Sequence, residues 1–173
     1  MDAQVARELA ANLGIQPLTA RVLLGRGLTD VDSARRFLSP SIDHLYDPNL
    51  LTGMDQAVQR LRAAIAAKEK ILIYGDYDVD GTVSVVILKK AIELAGGDAN
   101  YHVPHRLRDG YGMRAEVIER AAAMGVRLII SVDTGIRATE VVRGAHELGI
   151  DVIVTDHHLP EAELPPALKA WTS

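Results

Sequence analysis

The sequence has no cysteine and few aromatic residues: five tyrosines, one tryptophan and one phenylalanine among 173 residues. The lack of thiols excludes disulfides, thiolate metal sites and a cysteine nucleophile. The few aromatic rings are scattered along the chain, so they provide no stacking platform for nucleic-acid bases. Any chemistry must therefore rest on carboxylates, imidazoles and hydroxyls.

The sequence also lacks an excess of positive charge and any long hydrophobic run. It has 19 basic and 23 acidic residues, for a formal net charge of −4, so a polyanionic substrate would have to be held locally. No apolar run approaches membrane length, and the amino terminus has no basic region followed by an apolar core. We therefore expect a cytoplasmic protein. With 48% hydrophobic residues, the length suits one α/β domain plus a small accessory element.

One stretch, ILIYGDYDVDGT at residues 71–82, carries the strongest pattern in the chain. Its apolar start, Ile71–Tyr74, is short, β-branched and bounded by Gly75, which predicts a buried strand. The following segment, 82–94, has helical periodicity and predicts a helix capped by Thr82. The loop between this strand and helix is the place where open α/β sheets bind ligands. It is predicted to hold Asp76, Asp78 and Asp80.

Carboxylates this close together raise one another's pKa unless a cation holds them, so a divalent metal is the simplest explanation. The alternative is a solvated, aspartate-rich turn. A calcium-binding EF-hand loop requires a glutamate at its twelfth position, which counted from Asp76 is Ile87, so that motif fails. A phosphatase motif with an aspartate nucleophile, D-x-D-G-T, fits residues 78–82 and remains open on these letters alone.

The rest of the chain predicts a small helical segment followed by alternating strands and helices. Helices are expected at 4–13, 19–24 and after a cap at Thr29 or Asp30, and then at 54–69. Further strands are predicted at 99–103, 127–132 and 151–155, with helices at 115–124 and 138–148. This alternation indicates an α/β fold with a parallel sheet and helices on both faces. We predict a helical amino-terminal lead at 1–53 and an α/β domain at 54–173.

Acids and imidazoles follow these predicted strands. Because parallel strands end at one edge of the sheet, residues far apart in sequence should converge there and form a metal site. Asp133 stands alone after a middle strand and is the best candidate to bridge two ions. One of His157 and His158 is expected to be a ligand and the other a phosphate or supporting contact. The donor types suit Mn²⁺ or Mg²⁺, with zinc also permitted. The residues that follow the strands are Asp76, His105, Arg106, Asp133, Asp156, His157 and His158.

Four motifs in order, GDYDVDG, PHRLRDGYG, SVDTG and TDHH, resemble the DHH phosphoesterase superfamily. Within it the chain is most similar to the RecJ family of bacterial single-strand-specific 5′→3′ DNA exonucleases. The amino-terminal segments ARRFLSPS and LYDPNLLTGMDQAVQRL support this resemblance, which extends to about Pro166. It displaces the phosphatase motif, which has no use for TDHH. It implies metal-dependent hydrolysis of single-stranded DNA to mononucleotides, in DNA repair and recombination.

The resemblance also implies a role for each residue that matches a motif. Metal ligands would be Asp78, Asp80, Asp133 and His157, with Asp76 and Asp156 as supporting members of the cluster. Catalytic roles would fall to Asp80, Asp133 and His158, and substrate contacts to His105, Arg106 and His158. The implied cofactors are two Mn²⁺ or Mg²⁺ ions. The implied partners are single-stranded DNA, single-stranded-DNA-binding protein and repair helicases, with no membrane.

The chain departs from this family at its end. After residue 168 it reads KAWTS and stops where the family continues into another strand, a further acidic ligand and more domains. We therefore expect a truncated DHH domain with little activity alone. Two alternatives remain: a phosphodiesterase of the same superfamily that acts on short oligonucleotides, cyclic dinucleotides or pyrophosphate, and a non-catalytic fragment that binds nucleic acid or a partner.

Overall fold

The structure, a computed structural model, describes residues 3–171, and side chains within 3–168. The chain divides into two compact units, Met1–Asp47 and Pro48–Ser173. The domain bounds expected from the sequence, 1–53 and 54–173, stay a prediction. Within the described part, none of the helices is both long and apolar enough to cross a membrane.

The first unit is a set of three short helices, α1 (Ala3–Leu13), α2 (Pro17–Gly25) and α3 (Val31–Leu38). Pro17 begins α2, where its fixed φ favours the first helical turn. The α3 helix is capped by Asp30, whose Oδ1 accepts the backbone N–H of Ser33 at 2.8 Å. Alanine and leucine side chains form the core between the helices: Leu9, Ala10, Ala20, Leu23 and Ala34. After α3 comes a 3-10 turn at Ile42–His44.

The second unit is built on a parallel sheet of five strands in the order β2-β1-β3-β4-β5. Its registers align the strand ends, since Tyr74 pairs with both His102 and Ser131, and Val132 pairs with Thr155. The carboxyl ends of the inner strands therefore lie side by side. The strands are β1 (Lys70–Tyr74), β2 (Ala99–His102), β3 (Val126–Val132), β4 (Asp151–Asp156) and β5 (Leu168–Trp171).

Helices cover both faces of this sheet, as the sequence predicted. On one face α4 (Met54–Ala66) and α5 (Val79–Leu94) pack against Ile73 and Leu128, and on the other α6 (Ala115–Ala123) and α7 (Thr139–Glu147) pack against Ile129. Alternate residues of β3 thus point to opposite cores. Each fully buried Ile or Leu contributes about 1.5–3 kcal/mol. These two cores fix the strand ends in place. A further 3-10 turn, Pro48–Leu50, precedes α4.

Two expectations about this unit were wrong. The helix after β1 begins at Val79, not Thr82, because Asp78 accepts the N–H of Gly81 at 3.0 Å, while the Thr82 hydroxyl donates to the Asp78 carbonyl. Asp80 therefore lies in the first helical turn and not in a loop. The second error concerns the end of the chain. No strand was predicted after 151–155, but β5 pairs with β4 from Leu168 onward. This strand is too short and mixed to show alternation in sequence.

Candidate metal centre

The carboxylates gather at the edge where β1, β3 and β4 end. Asp76 follows β1 after Gly75, Asp133 directly follows β3, and Asp156 is the last residue of β4. The Asp133 N–H donates to the Thr155 carbonyl at 2.9 Å and extends the ladder of β4 by one bond. All three side chains are buried residues, 3%, 9% and 7% exposed respectively. The convergence expected from parallel strands is therefore present.

Two groups of side chains at this edge can each hold a metal ion, and they share Asp133. In each group one ligand atom per residue lies within 4.8 Å of every other. The first group is Asp76, Asp78 and Asp133, and the second is Asp133, His157 and His158. A shared carboxylate is the arrangement expected of a bridge between two ions. The ion count and the role of each residue stay predictions.

The first group joins two buried carboxylates, Asp76 and Asp133, to the exposed carboxylate of Asp78. Burial raises the pKa of Asp76, and the Asp78 carboxylate raises it further. Burial and then Asp78 likewise raise the pKa of Asp133. Within the described residues, the buried Oδ1 of Asp76 has no hydrogen-bond partner. A hard divalent cation coordinated by oxygen would relieve both the repulsion and this unsatisfied atom, so the donor set fits Mn²⁺ or Mg²⁺.

The backbone at Asp133 is in the left-handed region, with φ of +60°. This conformation is uncommon outside glycine, although aspartate adopts it more readily than most residues. It turns the chain at the end of β3, and Asp133 Oδ1 lies 3.0 Å from His157 Nε2. Local strain of this kind tends to occur at functional sites. The turn places one carboxylate between the aspartates of the β1 loop and the imidazoles after β4.

Asp156 points inward and organises its neighbours. Its Oδ2 accepts the N–H of Ile136 at 3.0 Å, and its Oδ1 accepts the N–H of His158 at 3.1 Å. Burial alone would raise the pKa of Asp156, but these hydrogen bonds and the His158 ring lower it overall. The ring contributes a third contact, with Nδ1 2.7 Å from Oδ1. Within the described residues Asp156 belongs to neither metal-holding group, so its geometry is that of a support for His158.

The contact with Asp156 in turn raises the pKa of His158. The partner at Nδ1 favours the tautomer with its proton on that nitrogen, and therefore leaves Nε2 for another contact. The tyrosine of the PHRLRDGYG motif also reaches this ring, with Tyr111 Oη 3.3 Å from Nδ1. Sequence reasoning missed Tyr111 because it weighed only the basic residues of that motif.

Asp80 lies apart from both groups. It is exposed in the first turn of α5 and lines a cleft of about 500 Å³ together with Asp133 and His157. In the described residues it is absent from the sets whose ligand atoms lie close together. Because it borders the same cleft, it faces the metal-holding residues across open space. The structure thus brings Asp76 into the tight cluster and leaves Asp80 at its rim.

The loop between β2 and α6 brings one of its two expected substrate residues toward the site. The Arg106 guanidinium lies over the ring of Tyr77, 5.3 Å from its centroid. His105 instead stabilises its own loop, since its N–H donates to Asp109 at 2.7 Å and its Nδ1 accepts the N–H of Leu107 at 3.2 Å. Sequence reasoning did not single out Tyr77, although it stands inside the GDYDVDG motif.

A close approach of backbones also supports the site. A Cβ added at Gly81 would lie 2.6 Å from the backbone N and O of Asp76. Real Cβ atoms do not come this close to backbone atoms, so the residue at this position must be glycine for α5 to abut the Asp76 loop. The glycine of the D-x-D-G pattern therefore serves packing here. A glycine in the first turn of a predicted helix is the sequence signal for such a close approach.

Residues 70–172 match the family model of the "DHH family, N-terminal domain". The chain belongs to the DHH family. The matched segment contains every residue that forms the cluster described above. It is also similar to curated proteins named single-stranded-DNA-specific exonuclease RecJ. The identity is 40% over 164 residues with that of Bacillus subtilis and 41% over 167 residues with that of Salmonella typhimurium.

These alignments cover most of this chain but a small part of each relative. They include 95% of this chain and 21% of the Bacillus protein, and 96% and 28% for the Salmonella protein. The chain thus spans less than a third of the length of these relatives. The likeness is to the amino-terminal part of RecJ.

Solved structures of RecJ share this fold. The chain superposes on Thermus thermophilus RecJ in complex with Mn²⁺ with a TM-score of 0.77 and 28% identity, over 99% of this chain and 24% of that one. A second RecJ structure, bound to manganese, gives 0.66 and 36% identity over 70% of this chain and 31% of that one. The Mg²⁺ complex of the Thermus protein gives 0.57 and 25% identity over 91% and 19% of the two chains. The ions in these complexes are those that the carboxylate cluster fits.

Proposed function

We propose that this chain is the metal-binding part of a single-stranded-DNA-specific 5′→3′ exonuclease, which hydrolyses phosphodiester bonds to mononucleotides in DNA repair and recombination. The observation that carries the proposal is the meeting of Asp76, Asp78, Asp133, His157 and His158 at one sheet edge. Relatives with this segment are named single-stranded-DNA-specific exonucleases, which supports the substrate class. The same likeness is the ground for expecting single-stranded-DNA-binding protein and repair helicases as partners, and a cytoplasmic location.

The residues that would hold the ions are Asp76, Asp78, Asp133 and His157, with Asp133 shared, while His158 would contact the substrate. The proximity of Asp76 to Asp78 supports its inclusion as a ligand, whereas Asp80 would act from the rim of the cleft. Two bound ions supply an activated water and stabilise negative charge on a phosphate. We therefore infer that the cluster binds Mn²⁺ or Mg²⁺ and that its pair of groups corresponds to two ions.

The remaining residues would hold the substrate and handle its proton. Asp156 fixes His158 through Nδ1, so the protonated ring can donate from Nε2 to a phosphate oxygen or to the leaving oxygen. The raised pKa of His158 keeps that proton on the ring to higher pH. Arg106 can bind phosphate oxygens through two N–H groups, as arginine commonly does. His105 would contribute by shaping the loop that carries Arg106.

The proposal is tested first by metal binding. Isothermal titration of the purified chain with Mn²⁺ should show binding that Asp78→Asn or His157→Ala weakens strongly. Asp98→Asn is the matched control, because Asp98 is an exposed acid on the turn between α5 and β2. Equal binding by all these variants, or no binding by the wild type, would contradict the site.

The substrate is tested by hydrolysis in Mn²⁺. A 5′-phosphorylated single-stranded oligonucleotide should yield mononucleotides, and the same strand in a duplex should not. We expect slow turnover from these 173 residues alone. Hydrolysis of dinucleotides but not of longer strands would select the phosphodiesterase for short substrates. Nucleic-acid binding that a chelator leaves intact, without turnover in any divalent ion, would indicate the non-catalytic alternative.

A further inference from the structure

Arg106 has an aromatic partner where an acidic one would be expected. Its guanidinium carbon lies 5.3 Å from the centroid of the Tyr77 ring, within the distance of a cation–π contact. Among the described side chains, Arg106 makes no ion pair and no hydrogen bond. Among ion pairs, hydrogen bonds and ring contacts, the contact with Tyr77 is therefore the one that this exposed side chain makes within the described residues.

The position of Tyr77 ties this contact to the metal-holding cluster. Its chain neighbours on either side, Asp76 and Asp78, both belong to the group that shares Asp133. The same short stretch of backbone thus sets the ring and two carboxylates. The Arg106 charge is close enough to lower the pKa of Asp76, an effect smaller than the burial that raises it. The contact with Tyr77 accordingly holds the guanidinium against the same stretch of chain that carries these two carboxylates.

We propose that Tyr77 is a positioning residue whose ring holds the Arg106 guanidinium beside the carboxylate cluster, where it can bind a phosphate oxygen of the substrate. The inference rests on the proposed function for its phosphate, and on the observed contact for its geometry. A ring stacked on one face of a guanidinium leaves the N–H groups at its edge free. A carboxylate partner would occupy those same N–H groups and compete with the phosphate. An aromatic partner restrains the arginine without this competition.

The contact itself can be tested without DNA. In nuclear magnetic resonance spectra of the chain with Mg²⁺, the Arg106 side-chain signals should show a ring-current shift in the wild type and in Tyr77→Phe. The shift should vanish in Tyr77→Leu. Tyr101→Leu is the matched control, because Tyr101 is an exposed tyrosine on β2 and its removal should leave the Arg106 signals unchanged. Arg106 signals that are identical in the wild type and Tyr77→Leu would overturn the inference.

The consequence for substrate is tested by a double-mutant cycle. The probe is a 5′-phosphorylated, phosphorothioate-linked oligothymidylate of eight nucleotides, and the readout is its dissociation constant by fluorescence anisotropy. Tyr77→Leu should weaken binding about two- to fivefold, the worth of an exposed cation–π contact. Tyr77→Phe should bind as the wild type does. In the background of Arg106→Ala, Tyr77→Leu should have no further effect, since the arginine that it positions is gone.

The outcomes separate this inference from the proposed function. An equal loss from Tyr77→Leu with and without Arg106 would show that the ring acts on its own, and would overturn positioning. Equal losses in Tyr77→Phe and Tyr77→Leu would do the same, because both rings offer a π face. If the wild type does not bind the oligonucleotide, the proposed substrate and the phosphate role of Arg106 both fail, and the spectra alone decide whether Tyr77 holds the arginine. Titration with Mn²⁺ should be unaffected by either Tyr77 variant.

Discussion

The sheet of the second unit has an amino edge, where its parallel strands begin, and a carboxyl edge, where they end. Charged side chains are arranged differently at these two edges. At the amino edge Arg60 lies between two acids, donating from Nε to Asp151 at 2.6 Å and from Nη2 to Glu69 at 2.7 Å. Lys70 there donates to the Met124 carbonyl at 2.8 Å. At the carboxyl edge, Asp76, Asp78 and Asp133 converge on one another instead. The amino edge pairs each acid with a cation, whereas the carboxyl edge gathers three carboxylates, of which Asp133 also contacts the His157 imidazole.

This difference in charge pairing distinguishes side chains that stabilise the fold from side chains that are suited to bind a cation. Opposite charges in contact satisfy each other within the chain, so the amino edge is complete without any ion. Like charges that are partly buried raise the free energy of the folded state until a cation binds. Local rules of stability are broken at one edge only, which is where a functional site is expected.

The largest expected effect comes from Asp133→Asn. Removing the shared carboxylate should weaken Mn²⁺ binding by about a hundredfold or more, since even supporting residues of metal sites are worth about ten- to a hundredfold. At neutral pH without metal, the same variant should melt at a higher temperature than the wild type, because a repelling charge is gone. Calorimetric titration and thermal unfolding in chelator measure the two effects.

Asp151→Asn is the control at the other edge for this first experiment. It should leave Mn²⁺ affinity unchanged and lower the melting temperature, because Arg60 loses a partner. A variant at position 133 that binds Mn²⁺ as the wild type does, or that melts lower in chelator, would contradict the contrast between the edges.

A pair of helical glycines gives the next largest effect. Gly81→Ala should destabilise the protein by about 1–3 kcal/mol, because its Cβ would overlap the Asp76 backbone. Gly144→Ala in α7 should stabilise it by about 1 kcal/mol, since no atom lies within 4 Å of the added Cβ and alanine is the better helix former. Urea unfolding curves measure both. A stabilising effect of Gly81→Ala would refute the close approach at Gly81.

Arg60→Met should lower the free energy of unfolding by about 1 kcal/mol, because it leaves Glu69 and Asp151 without their cation. Arg62→Met on the same helix is the matched control. Arg62 is exposed and makes no ion pair within the described side chains, so its loss should change stability by less than about 0.5 kcal/mol. The Mn²⁺ affinity should be unaffected in both. Equal unfolding curves for the two variants would show that the ion pairs of Arg60 do not stabilise the fold.

The smallest expected effect is the pH dependence of the rise in melting temperature that Asp133→Asn produces in chelator. Burial and Asp78 raise the pKa of Asp133 in the folded state above its ordinary value of 3.8. The folded state therefore holds this proton more tightly than the unfolded state does, and the carboxyl group costs stability as pH rises from 3.8 through the folded pKa. The gain in melting temperature should be near zero below pH 3.8 and grow toward neutrality. If the gain in melting temperature shrank as pH rose, the pKa of Asp133 would be lowered in the folded state and not raised.

Much of the site could be predicted from sequence because of one geometric fact. Strands that run parallel end at one edge, so Asp76, Asp133 and the two histidines after β4 had to meet once the strands were recognised. The strands themselves were easy to recognise because they are apolar and rich in β-branched residues. The helices on both faces followed from the same alternation.

The parts that could not be predicted depend on choices between competing contacts. Three aspartates at alternate positions all offer a helix cap, and only the folded backbone decides that Asp78 takes it and that Asp80 enters the helix. The inward turn of Asp156 depends on N–H groups of Ile136 and His158 that have no sequence pattern. The strand β5 is defined by its pairing with β4 and hardly by its own residues.

The left-handed turn at Asp133 shows that the backbone and the metal-holding cluster favour different residues at this position. Glycine accepts a φ of +60° with less strain than aspartate does, so the architecture itself has no need of an acid at this position. The carboxylate at this position is therefore accounted for by the metal-holding cluster and not by the backbone. Replacing Asp133 by glycine would remove the shared carboxylate and leave the turn unstrained, so the fold would outlast the site.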